Sequence, residues 1–363
     1  MTSHSLTPTD PALGLPVAVR DIETALKSLW EDDHANTKAS LVNFAIFSED
    51  PGALERNTEW IRRITSETAC RAILIDADFD TTHEPEINAW VTAHCHLQGG
   101  AKSVCSEQIS FRLKGRMIGR MRNVIFAHLE SDLPLVFWWQ GRLSKSVAYE
   151  PNVSHQIDRL FVDSGSWGVG PDIAEELNVI QNLIAERGKA IVINDLSWTR
   201  LLPFRKAVVS LFDDPRMVAH IDDLQQLEIH GDLTSPGTPL LFAAWIASSL
   251  EWTLESFSDN EFSMVSSSGL PRKILVKQSS GNKSIDAVRW SGENGVIEMN
   301  FTDERRDYLG VTTKIGTIED RDLIPAGRTS CPDLVMTQLA RATRDELYRG
   351  VIPMFRELAS ALR

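Results

Sequence analysis

Two histidines and two cysteines, His94, Cys95, His96 and Cys105, fall in one twelve-residue window. These are the side chains that bind zinc or exchange disulfides. They flank Gly99-Gly100, the dipeptide of a tight hairpin turn. With a two-residue turn, residue 94 sits opposite 105 and residue 96 opposite 103. That register lines His94, His96 and Cys105 along one face, as three zinc ligands require. No fourth ligand follows at ordinary spacing, so packed strand residues are the simpler reading and no metal is expected. The same register sends Cys95 and Cys105 to opposite faces, and a bond between them would need a bulge or a longer loop. Cys331 is the remaining redox candidate.

Three other stretches carry residue types with a chemical use. DSGSWGVGPD (163–172) lies between a strand and a helix, where a phosphate-cradling loop would sit. Its glycines, Gly165, Gly168 and Gly170, make it a candidate anion-binding loop. They run G-x-x-G-x-G, the reverse of the dinucleotide fingerprint, and no P-loop lysine follows. FRLKGRMIGRMR (111–122) is the one basic cluster, with no acid between Glu107 and Glu130. Arg116 and Arg120 are i, i+4 neighbours on a helix face, and with Arg122 they suit an acidic partner or an anion. Asp76, Asp78 and Asp80 alternate after a strand, a pattern that is usually just a solvated acidic loop. No nucleophile–base pair, G-x-S-x-G elbow or H-E-x-x-H stands out, so no catalytic residue is assigned.

The elements that position these residues follow from hydrophobic spacing. SLVNFAIF (40–47) reads as a strand, ALERNTEWIRRI (53–64) as a helix and RAILIDAD (71–78) as the next strand. That alternation implies parallel strands with helical crossovers. LPLVFWWQGR (133–142) contains an apolar run without alternation, as expected of a strand covered on both faces. Trp138 then belongs to the core. Trp139, beside Gln140, Gly141 and Arg142 at the strand end, is a candidate contact. RLFVDS (159–164) and AIVINDL (190–196) supply two more strands. The second half holds helices at 204–212 and 239–252, then strands from about 272 to 316 punctuated by SGNK, SGENG and TDERRD, which fits an antiparallel meander. Thr343 and Glu346 have capping-box spacing ahead of a final helix. The expected fold is an α/β N-terminal domain with a mostly parallel sheet, followed by an α+β C-terminal domain with an antiparallel meander. The boundaries are a disordered tail over 1–14, the α/β domain over 15–197 and the α+β domain over 198–363.

Totals narrow the function classes. The chain of 363 residues carries a net charge of −13, which argues against a general nucleic-acid binder or a membrane-surface protein. Four cysteines are too sparse for a disulfide scaffold and fit a reducing compartment. The N-terminal MTSHSLTPTDPALG lacks the basic start and apolar run of a secretory signal, and LLFAAWIA (240–247) is too short to span a bilayer. The expectation is a cytoplasmic protein.

CSEQISFRLKG (105–115), DLPLVFWWQGR (132–142), RLFVDSGSW (159–167) and DLSWTRLLPFR (195–205), in this order and spacing, resemble the glucose-6-phosphate dehydrogenase assembly proteins, the OpcA family. LLFAAWIASSLEW (240–252) resembles that family's C-terminal domain. The resemblance covers roughly residues 40–255. It implies a non-catalytic, cofactor-free protein that binds glucose-6-phosphate dehydrogenase, promotes its active oligomer or raises its activity, and so supports NADPH production in the oxidative pentose phosphate pathway. It also implies, in some relatives, redox control through C-terminal cysteines; only Cys331 lies in that part here. Arg116, Arg120, Arg122, Trp139 and Arg142 are the expected partner contacts, since Trp and Arg are favoured interface anchors. The alternative is an α/β enzyme or sensor that binds a nucleotide or sugar phosphate at the carboxyl ends of the strands.

Overall fold

The computed structural model describes residues 9–31, 36–80, 82–98, 102–145, 153–279, 281, 283–301, 307–327, 329–341 and 345–362. The chain divides into two compact units, each gathered from separate segments. One holds Met1–Val162, Leu183–Asn194 and Val335–Ala342; the other holds Asp163–Asn182, Asp195–Leu334 and Thr343–Arg363.

The first unit is built on strands β1 (Leu15–Val17), β2 (Asn36–Lys38), β3 (Asn43–Ser48), β4 (Arg71–Asp78), β5 (Glu86–Gln98), β6 (Lys102–Lys114), β7 (Leu135–Trp139), β8 (Arg159–Val162) and β9 (Val192–Asp195). Helices α1 (Ile22–Glu31), α2 (Ala53–Ile64) and α3 (Met121–Phe126) accompany them. The sheet order is β1-β5-β6-β4-β3-β7-β8-β9, with β2 beside β6. Every residue of β3 and β7 is buried, which accounts for their unbroken apolar runs. Helix α2 presents Ala53, Leu54, Asn57, Thr58, Ile61 and Ile64 as its buried stripe, the three-and-four spacing of a surface helix.

The sheet is mixed rather than mostly parallel. β3–β4, β3–β7, β4–β6 and β7–β8 are parallel, whereas β5–β6 and β1–β5 are antiparallel. A hairpin at one side therefore interrupts the crossover rhythm. Within this sheet the path β6-β4-β3-β7-β8-β9 follows the 3-2-1-4-5-6 order of a Rossmann sheet, which reverses direction between β3 and β7.

The hairpin register differs from expectation by one residue. Cys95 pairs with Cys105, His94 with Ser106 and His96 with Val104. Gln98 pairs with Lys102, so the connection is three residues long, and Gly99 and Gly100 lie outside the described residues. A one-residue slip exchanges the faces. The slip takes His94 and His96 off the face of Cys105 and dissolves the zinc set. It also puts the two cysteines side by side, and they form a disulfide.

The tail expected over 1–14 is partly tied down. Gly14 bridges back to Asp10, Leu13 is fully buried, and β1 pairs with β5. Residues 1–8 lie outside the described part.

The second unit carries β10 (Leu224–Gly231), β11 (Thr253–Ser258), β12 (Glu261–Val265), β13 (Pro271–Gln278), β14 (Ile285–Gly292), β15 (Gly295–Phe301), β16 (Tyr308–Ile315) and β17 (Ile318–Pro325). Their order is β11-β12-β13-β10-β14-β15-β16-β17. β14 to β17 form the antiparallel meander, but β10 and β13 are parallel, so this sheet too is mixed. The later helices are α4 (Gly170–Arg187), α5 (Leu196–Arg200), α6 (Leu202–Phe212), α7 (Pro215–Val218), α8 (Gly237–Ser249), α9 (Cys331–Leu339) and α10 (Glu346–Ala361). α8 is buried on all sides from Gly237 to Ala247; it packs against β10, β13 and α10. Thr343 lies outside the described residues, and Asp345 caps α10 instead by accepting from the Tyr348 amide at 3.0 Å.

Candidate functional site

Open α/β sheets bind ligands outside the carboxyl ends of their strands, where the order reverses. In the first unit that end holds a cleft of about 630 Å³, lined by Glu49, Pro51 and Gly52, from Asp76 to Asp80, and by His83, Arg112 and Lys114. Glu49 directly follows β3, β4 delivers Asp76 and Asp78, and β6 delivers Arg112 and Lys114. The aromatic floor is Phe79, edge-on to Phe47 at 6.2 Å.

Ion pairs order the walls. Arg112 donates to Asp76 and to Glu55, each at 3.1 Å, and lies over the Trp90 ring. Burial raises the Asp76 carboxyl above the usual range, against the pull of Arg112. The His83 Nδ1 is 2.6 Å from Asp78. The Asp80 amide and His83 together hold Asp78 below its ordinary value. Lys114 pairs with Glu86 at 2.9 Å and Lys145 with Glu49 at 3.2 Å. The second Glu49 oxygen, Oε1, is buried and has no hydrogen-bond partner among the described residues.

A Rossmann crevice implies a dinucleotide, and the residues here do not fit one. The turn after the first strand must bring bare backbone amides against a pyrophosphate. This turn reads Ser48-Glu49-Asp50-Pro51-Gly52. Its Asp50 amide is taken by the Ser48 hydroxyl at 3.2 Å, and two carboxylates stand where the phosphates would lie. Only Gly52 keeps the positive φ, 77°, of a turn glycine. On the far side of the reversal the Gln140 side chain is locked to Asn57 by hydrogen bonds of 3.0 and 3.1 Å.

The expected contact residues separate into groups. Arg116 and Arg120 are exposed and Arg122 is half-buried, and none of the three has an ion pair among the described residues. Gly115–Arg120 forms a 3-10 turn that runs into α3, anchored by buried Ile118, Met121, Val124 and Ile125. Trp139, expected as a surface contact, is 3% exposed. It stacks on Phe47 at 4.1 Å, while Trp138 stacks on Trp60 of α2 at 5.3 Å. The adjacent indoles point to opposite faces and both faces are covered, so both are core. Arg142 is half-buried beside Gly141, whose φ is 112°.

The glycine loop of the second unit is closed around its own side chains. The Gly165 amide donates to Asp163 at 3.2 Å and to Ser197 at 2.8 Å. A side chain at Gly170 would strike the backbone of Ala359 and Leu362 at 2.5 Å. Gly168 turns at φ 85° beside Asp172. Packing and turn geometry therefore account for all three glycines. Asp163 is clamped by Arg200 at 2.8 and 3.1 Å. Asp195 accepts from the amides of Ser164 and Ser197 and, at 3.1 Å, from the Tyr348 hydroxyl. Burial, with Asp163 adding to it, raises the Asp195 carboxyl to about 6. Burial likewise opposes the charge on Asp163, yet Arg200, Ser197 and the Gly165 amide hold it below the carboxylate range.

Sequence spacing missed Glu49, Arg112 and His83 as one set. Acids directly after the first two strands of a β-α-β run were the available signal.

Comparisons with known proteins place this architecture. Residues 61–182 match the model of the glucose-6-phosphate dehydrogenase subunit N-terminal domain, and residues 191–352 match that of its C-terminal domain. The putative OxPP cycle protein OpcA of Synechocystis sp. is 24% identical over 197 residues, 54% of this chain and 40% of that protein. Its counterpart in Nostoc punctiforme is 27% identical over 202 residues, 54% of this chain and 42% of that one. The matched stretches thus span about two fifths of these relatives. Among solved structures, KijD10, a 3-ketoreductase from Actinomadura kijaniata in complex with NADP and TDP-benzene, aligns at a TM-score of 0.50 and 10% identity, covering 89% of this chain and 97% of that one. At that identity the likeness concerns the fold alone. No helix among the described residues is long and apolar enough to cross a membrane.

Proposed function

Since the chain belongs to the OpcA family of glucose-6-phosphate dehydrogenase subunit proteins, we propose that it is a non-catalytic regulator of that dehydrogenase. It binds the enzyme, promotes its active oligomer or activates it allosterically, and supports NADPH production by the oxidative pentose phosphate pathway. The observation that supports this reading is the acidic turn Glu49-Asp50 in the Rossmann crevice. With carboxylates where a pyrophosphate would lie, the chain is unsuited to run hydride chemistry on NADP itself, and the redox step belongs to the partner. Arg116, Arg120 and Arg122 form the proposed docking patch: they are grouped, at least partly exposed, and without an ion pair among the described residues, in a chain of net charge −13. An acidic surface on the enzyme is its complement.

The test is co-elution of the purified chain with its host's glucose-6-phosphate dehydrogenase, followed by an activity titration. A complex at micromolar concentration and a changed substrate dependence support the proposal. Unchanged kinetics with no complex would sink it.

A further inference from the structure

We propose that the cleft at the carboxyl ends of β3 and β4 binds an uncharged ligand bearing a vicinal diol, and that it discriminates against the phosphorylated form of the same ligand. The inference is independent of the partner reading, because every residue it uses lies in the first unit.

Four observations carry it. The cleft volume, about 630 Å³, falls in the range of small-molecule sites. Its place is the reversal of strand order, where this architecture puts ligands. Its polar groups alternate in sign: Asp76 with Arg112, Asp78 with His83, Lys114 beside them. A hydroxyl, both donor and acceptor, can satisfy such a wall without leaving either sign unpaired. Finally, the half-buried Glu49 side chain lines the cleft, and its ion pair, to Lys145, uses one carboxylate oxygen. A ligand hydroxyl can donate to the Glu49 carboxylate, whereas an ionised phosphoryl group has no proton to give and meets a like charge.

The geometry also sets the direction of selectivity. In Rossmann sheets an acid after the second strand takes a ribose hydroxyl while the first turn takes the phosphates. Here acids stand at the end of β4, Asp76 and Asp78, and the first turn carries Glu49 and Asp50 where phosphates would lie. The diol half of the subsite remains and the anion half repels. Two ligand sources share this chemistry, a free sugar and a nucleoside.

The experiment is a set of NMR titrations of the full chain with glucose, adenosine, glucose 6-phosphate and AMP, read on protein resonances of the cleft. At least one uncharged ligand is expected to shift them saturably, and its phosphorylated counterpart to bind about tenfold more weakly, a difference of ~1.4 kcal/mol. Glucose binding without adenosine assigns the sugar, and the reverse assigns the nucleoside. Glu49→Gln should narrow the discrimination severalfold while the unliganded spectrum stays folded. No saturable shift with either uncharged ligand, or equal or tighter binding of the phosphorylated partner, overturns the proposal.

Discussion

The two units each hold a knot of charged side chains, and the knots differ in what they leave unmet. In the second unit Asp163, Asp195, Ser197, Arg200 and Tyr348 close on one another: Asp195 is buried, Asp163 is half-buried, and each has its oxygens filled by protein donors. In the first unit Glu49, Asp76, Asp78 and Arg112 are charged too but ring an open cleft, and Glu49 Oε1 is left without a partner among the described residues. The same residue types, Asp and Arg near strand ends, serve architecture where the set is complete and recognition where it is not. Motif searches weigh residue identity; the distinction here lies in satisfaction.

The contrast breaks most directly at Arg200. Arg200→Ala leaves the half-buried Asp163 without its cation and should cost about 3 kcal/mol of stability in denaturant unfolding, the low end for a buried pair. Arg112→Ala should cost less, because burial already raises the Asp76 carboxyl, so that it can take up a proton when the cation goes, and Glu55 borders solvent. Equal losses at the two sites would erase the difference between the knots.

A second expectation concerns pH. The folded-state pKa of Asp195 is raised to about 6 from an ordinary value of 3.8. The folded state therefore holds its proton where the unfolded state has lost it. The stability this group supplies is present below the unfolded value and falls away as pH rises through about 6, by roughly 2–3 kcal/mol in total. Asp195→Asn should flatten that decline, measured as the wild-type-minus-variant stability between pH 4 and 7. An identical slope in both proteins would remove the buried carboxylate from the account.

The first unit has its own covalent tie. Replacing Cys95 and Cys105 together by Ala opens a short loop and should lower stability by about 2–3 kcal/mol. Reduction of the wild type should reproduce the loss. No effect from either would mean that the hairpin register holds without the bond.

The smallest stability effect is expected at the surface. Arg116→Glu with Arg120→Glu should stay within about 0.5 kcal/mol of wild type, since neither residue is buried or paired. The same pair should weaken dehydrogenase binding at least severalfold. Undiminished binding would move the docking patch elsewhere.

Much of this was legible in the chain. NFAIFS, RAILIDA and LVFWW are apolar without alternation because both faces of their strands are covered, and that pattern is read directly. The tryptophan pair illustrates the limit: alternation says that Trp138 and Trp139 face opposite ways, but not that Phe47 waits on one side and Trp60 on the other. The hairpin failed on a single residue of loop length, which periodicity cannot count, and the disulfide followed from that residue. The parallel β10–β13 pair was hidden because 39 residues of other structure separate the two strands. The cleft was half visible: Asp76, Asp78 and Asp80 stood out, while Arg112 reached them only through the register of β4 with β6.

The central claim is that this chain regulates a dehydrogenase without handling the dinucleotide itself. The most direct measurement is an activity titration of the host's glucose-6-phosphate dehydrogenase with this protein, run beside NADP binding to this protein alone. The account predicts a saturable rise in activity with co-elution, and a flat NADP isotherm for the isolated chain. Micromolar NADP binding by the isolated chain, with no change in the dehydrogenase, would contradict it.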